Sequence, residues 1–137
     1  MLRRKMLEYL YAWKASKGQE CLLIKGARQV GKSYIVDVFG SQAYQSYVPI
    51  DFIKRPELRA IFESGLDASQ IYQQMSLLMP GIRLVEHETL IFFDEIQECP
   101  AARTALKYLA QDGRYDVIAS GSLLGIAFRE EASSVPV

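Results

Sequence analysis

The sequence withholds most of the features that would commit it to a function early. Its 137 residues hold one histidine, one tryptophan and two cysteines, and 16 basic side chains stand against 16 acidic ones. The lone histidine, His87, sits between Glu86 and Glu88 in a polar connection, which leaves a histidine-built metal site without its second ligand. Cys21 lies in an apolar run and Cys99 just before a proline; such a pair makes no disulfide framework and reads as reduced, intracellular thiols. Zero net charge gives no global field to hold a polyanion, so non-specific nucleic-acid binding by this chain is not indicated. No apolar run approaches the roughly 20 residues of a membrane span. The basic start Arg3-Arg4-Lys5 is followed by residues interrupted by Glu8 and Lys14, not by a continuous signal-peptide core. The expected setting is the cytoplasm, with no membrane partner. Half the residues are apolar, enough for one domain with a real core.

What is present is concentrated in one stretch. Gly26-Ala27-Arg28-Gln29-Val30-Gly31-Lys32-Ser33 matches G-x-x-x-x-G-K-[ST] and follows the apolar run Cys21-Leu22-Leu23-Ile24 directly. That placement, between a buried strand and a helix, is the context a phosphate-binding loop requires. Backbone N–H groups of such a loop wrap a β-phosphate, glycines permit the close approach, and the helix N-terminus adds its dipole. Lys32 is then a mobile charge for the β- and γ-phosphates, and the Ser33 hydroxyl a ligand for Mg²⁺.

A second motif lies downstream. Thr89-Leu90-Ile91-Phe92-Phe93 is followed by the adjacent carboxylates Asp94 and Glu95. As a parallel neighbour of the first strand, this run would deliver Asp94 beside the phosphate loop to share Mg²⁺ with Ser33, with Glu95 placed to activate water. Two acids at the end of a strand are a weak signal alone and a strong one behind a phosphate loop.

The rest of the chain alternates helical and strand patterns. Leu2, Met6, Leu10 and Trp13 recur at helical spacing up to Lys17-Gly18-Gln19. A helix from about Lys32 to Phe39 is expected to close at Gly40. Tyr44 to Phe52 reads as a second strand, confined to a sheet edge by Pro49 and ending in Asp51, a residue that commonly starts a turn. Pro56 begins a short helix burying Leu58, Ile61 and Phe62; Asp67 opens another that ends at Pro80-Gly81. Pro100 starts a helix with Ala102, Ala105, Leu106 and Leu109 as its buried stripe, ended by Gly113. Tyr115 to Ser120 is the next strand, followed by Gly121-Ser122-Leu123-Leu124-Gly125. Ser120 and Ser122 at its exit could sense a γ-phosphate or simply make a turn, and the sequence leaves both readings open. No stable element is evident from Phe128 to Val137. The pattern predicts a three-layer α/β P-loop fold with a parallel sheet, strand order 1-4-3-2, and helices on both faces.

With these residues in view, the chain resembles the N-terminal ATPase domain of a prokaryotic AAA-superfamily family of ATP-binding proteins. The likeness rests on residues 26–33, Asp94-Glu95-Ile96-Gln97, Leu106-Lys107-Tyr108-Leu109 and Gly121-Ser122-Leu123-Leu124-Gly125. It implies a nucleotide site at Gly26, Gly31, Lys32 and Ser33, a magnesium role for Asp94 and a catalytic-base role for Glu95. It also implies an absence, because members of that family continue into a further core strand and a C-terminal domain. On this reading residues 1–137 are one ATPase domain, a fragment comprising an N-terminal helix (1–19), a nucleotide-binding core (20–125) and a tail (126–137). The final core strand is then missing, and the open sheet edge invites pairing with another copy. Any nucleic-acid partner would belong to the absent domain.

The expected function is Mg²⁺-dependent ATP binding and hydrolysis, with Lys32 and Glu95 carrying the chemistry. The alternative is a nucleotide-gated interaction module that does not hydrolyse productively. A small-molecule kinase ranks below both, since an acid directly after Asp94 suits water activation. No arginine can be assigned by spacing as the finger that completes such sites; Arg28 lies in the loop and Arg129 in the tail.

Overall fold

A computed structural model of the chain describes residues 2–16, 18, 20–25, 30–121 and 133–135. In chain order the regular elements are α1 (Leu2–Ser16), β1 (Cys21–Lys25), α2 (Val30–Ala43), β2 (Ser46–Asp51), a 3₁₀ helix at Pro56–Phe62, α3 (Ala68–Leu78), β3 (Thr89–Asp94), a 3₁₀ turn at Ile96–Glu98, α4 (Pro100–Asp112), β4 (Asp116–Gly121) and β5 (Ser133–Val135). The sheet runs β2-β3-β4-β1-β5. β1, β4, β3 and β2 are mutually parallel and in the expected order.

Successive residues of each inner strand point to opposite faces, so an unbroken apolar run feeds two cores at once. Leu22, Ile24, Leu90, Phe92 and Ile118 face α1 and α2, where they meet Leu10, Trp13, Ile35, Val36 and Phe39. Their neighbours Leu23, Ile91, Phe93, Val117 and Ala119 face the other way, against α3, α4 and the Pro56–Phe62 helix. The predicted stripe of α4, Ala102, Ala105, Leu106 and Leu109, is fully buried in that second core. Asp67 caps α3 by accepting from the Ser69 N–H at 3.2 Å, and Gly113 ends α4 in a left-handed conformation at φ 73°. β2 occupies the sheet edge with Pro49 exposed, as its missing N–H requires.

Two expectations need correction. The helix after the phosphate loop does not close at Gly40 but continues to Ala43. Gly40 serves packing instead: a Cβ there would run into the Tyr47 ring of β2, so a smaller-than-alanine residue lets α2 lie close to the sheet. The outer edge of β1 is likewise not open. Ser133–Val135 pairs antiparallel with Cys21, Leu22 and Leu23, giving those residues' outward backbone groups a partner, so the tail does contribute a short element.

α1 lies alongside α2 in the same direction. The Arg3 guanidinium sits 4.9 Å from the centre of the Tyr34 ring near the start of α2, and Tyr11 packs edge-on to Phe39 at 5.1 Å one end further along.

Candidate functional site

The parallel register brings the carboxyl ends of β1, β4 and β3 to one edge. Ile24 is opposite Ser120, Lys25 opposite Gly121, and Phe93 opposite Ala119. α2 starts at Val30, so Lys32 and Ser33 fall in its first turn at that same edge. Open α/β sheets place their ligand sites in this position because strand ends leave a crevice there.

Asp94 is the centre of the arrangement. It is 8% exposed, and its carboxylate is bracketed by two hydroxyls: Ser33 Oγ donates to Oδ2 at 2.6 Å and Ser120 Oγ donates to Oδ1 at 2.8 Å. A carboxylate this buried needs such donors, and the Ser33 bond has the length of a charge-assisted one. Residues 61 and 26 positions away in sequence thus meet on one side chain.

Lys32 lies half-buried beside this group. Burial, the dominant influence, holds its ammonium below the usual lysine range, and attraction to the Asp94 and Glu95 carboxylates opposes that shift. Glu95 leaves β3 in a left-handed conformation at φ 59° and ψ 49°, which non-glycine residues seldom adopt. Its Oε1 accepts a hydrogen bond from Gln97 Nε2 at 2.8 Å. Asp51, opposite Asp94 in the β2–β3 register, accepts from the Ile53 and Lys54 N–H groups at 2.9 and 3.0 Å and so starts a turn.

The structure therefore brings together Lys32, Ser33, Asp94, Glu95 and Ser120 among the sequence-derived candidates, with Gly31 in the same helical turn. Gly26, Ala27, Arg28, Gln29, Ser122 and Arg129 lie outside the described residues, as does the side chain of Val30. Ser120 spends its hydroxyl proton on Asp94, an arrangement neither open reading of that residue anticipated. The Gln97 contact was also missed. Its sequence signals are its place in the Asp94-Glu95-Ile96-Gln97 motif and an amide two residues beyond Glu95. A cavity of 330 Å³ lined by Glu20, Cys21, Asp112 and Asp116 opens at the opposite ends of β1 and β4, away from these groups.

The family model described as an AAA domain matches residues 18–136. The chain belongs to the AAA domain family. It is a P-loop ATPase-like, nucleotide-binding domain, and its four parallel strands carry the fold expected of one. Among solved structures it is similar to C. elegans PCH-2, with a TM-score of 0.55 at 13% identity; the match covers 93% of this chain and 39% of that one. At that identity the likeness concerns the fold alone, and this AAA domain spans well under half the length of that structure. No curated protein matches the sequence. Among the described residues of the domain, no helix is long and apolar enough to cross a membrane.

Proposed function

We propose that this AAA domain binds Mg-ATP and hydrolyses it, with residues 1–137 working as one unit: helix 1–19, core 20–125 and tail 126–137. The observation that carries the reading is the bridge from Ser33 through Asp94 to Ser120, with Lys32 and Glu95 beside it. The donor set fits a hard cation, since Ser33, Asp94, Glu95 and Ser120 all offer oxygen. Among the described residues, none comes within 4 Å of a Cβ placed at Gly31, which leaves room on that side of α2's first turn. Ser33 and Asp94 would hold Mg²⁺, which when bound supplies positive charge to the β- and γ-phosphate oxygens.

On this reading the N–H groups of Gly26 to Gly31 bind phosphate, and Lys32 neutralises charge on the bridging and γ-oxygens as it grows toward the transition state. Water attacks the γ-phosphorus: its oxygen forms the new P–O bond, the bond to the β-γ bridging oxygen breaks, and Glu95 takes the proton. ADP and inorganic phosphate leave. Ser120 holds the Asp94 carboxylate in place through its hydroxyl, and Ser122 is assigned to the same nucleotide site. Two buried cysteines, not joined to each other in a disulfide, agree with a cytoplasmic setting.

Calorimetric titration of Mg-ATP and Mg-ADP tests the binding step. Saturable binding is expected for the parent chain, and Lys32→Ala should abolish it. Equal binding by both would remove the assignment of the site. Glu95→Gln should retain binding and lose turnover, which separates hydrolysis from binding alone.

A further inference from the structure

The chain leaves β3 under tight control. Phe93 and Ile96, on either side of the acidic pair, are fully buried, and the turn that follows Glu95 is closed by hydrogen bonds from Glu98 N–H to the Glu95 carbonyl at 3.0 Å and from Cys99 N–H to the Ile96 carbonyl at 2.9 Å. The backbone of Glu95 therefore cannot drift. Its carboxylate is half-buried and is joined to that backbone by rotatable side-chain bonds. The left-handed turn at Glu95 brings side chains 95 and 97 to the same side, and the Gln97 amide donates to the Glu95 carboxylate at 2.8 Å.

Building on the ATPase reading above, we propose that Gln97 is a positioning residue for Glu95: its amide N–H selects the rotamer in which the carboxylate meets the attacking water. The strained backbone aims the side chain and the amide fixes its last torsions. A general base displaced by an ångström loses much of its effect, because proton transfer demands hydrogen-bond reach to the reacting water. Gln97 touches neither nucleotide nor water in this role. It acts through Glu95.

The test uses the full chain in single-turnover and steady-state ATPase assays, alongside nucleotide-free measurements. Gln97→Glu keeps the side chain's shape while removing the donor and adding a like charge; it should lower kcat about tenfold or more while KM and Mg-ATP affinity stay within about twofold. Gln97→Ala should do the same. In a Glu95→Gln background neither change should lower the residual single-turnover rate further, as expected for residues acting as one unit. Without nucleotide, the Gln97 side-chain amide resonances should shift in Glu95→Ala by nitrogen-proton NMR. Unimpaired kcat in Gln97→Glu, a parallel fall in affinity, or additive losses with Glu95→Gln would overturn the positioning role. So would amide resonances indifferent to Glu95→Ala. If Glu95→Gln hydrolyses ATP like the parent chain, the base assignment itself falls and takes this proposal with it. An inactive Glu95→Gln beside a fully active Gln97→Glu overturns the positioning role alone.

Discussion

Lys32 holds its charge against the preference of its surroundings. Because burial lowers its proton affinity relative to the unfolded chain, the unfolded state binds more protons between the lowered value and the ordinary 10.5. Stability therefore gains from rising pH through that window, and the cost of the buried charge is fully present below it. A polyphosphate seated on Lys32 would reverse the shift, so Mg-ATP binding should take up protons increasingly as pH rises toward that window. Calorimetry in buffers of different ionisation enthalpy checks this, and an uptake that does not grow with pH would count against it. At Glu95 the strain is in the backbone. Glycine tolerates the left-handed region and alanine does not, so Glu95→Gly should be more stable to urea than Glu95→Ala by about 1 kcal/mol, although both lose the carboxylate. Equal stabilities would show that the turn relaxes once the carboxylate is gone. The roles of Lys32, Ser33, Asp94 and Glu95 could be proposed from residue types and spacing alone. The conformation of Glu95 could not, because nothing in a Phe-Asp-Glu-Ile run marks a positive φ that surrounding burial imposes.

The elements show where local pattern suffices and where distant contacts decide. The two-faced apolar runs of β1, β3 and β4, the stripe of α4 and the edge position of β2 are written in period and in Pro49. The length of α2 is not, since Gly40 looks like a stop signal until the Tyr47 ring is seen against it. This yields a prediction opposite to helix propensity. Replacing an interior glycine by alanine ordinarily stabilises a helix by about 1 kcal/mol. Gly40→Ala should instead destabilise by roughly 1–3 kcal/mol, as overpacking does, because the ring is held by the Tyr47 hydroxyl donating to Asp37. Urea titration measures it, and stabilisation by Gly40→Ala would mean that Tyr47 moves aside freely. β5 escaped the sequence for a related reason. Its existence depends on the unpaired side of β1, more than a hundred residues earlier, and a three-residue strand carries no periodicity of its own.

At the scale of the molecule, the sheet is finished by pairing its phosphate-loop strand on both sides, with β4 parallel and β5 antiparallel. Removing residues 131–137 would bare the outer backbone of Cys21 to Leu23 and should raise self-association, read as a concentration-dependent shift in sedimentation velocity. No change on truncation would show that this edge is guarded by other means. The helical layers flanking the sheet also differ in one useful respect. The chain's single tryptophan, Trp13, is buried in the layer formed by α1 and α2. Emission from it during refolding dates the closure of that layer alone, whereas far-ultraviolet dichroism records helices on both faces. A lag between the two signals would therefore time-stamp the assembly of the nucleotide side of the domain without any label being added.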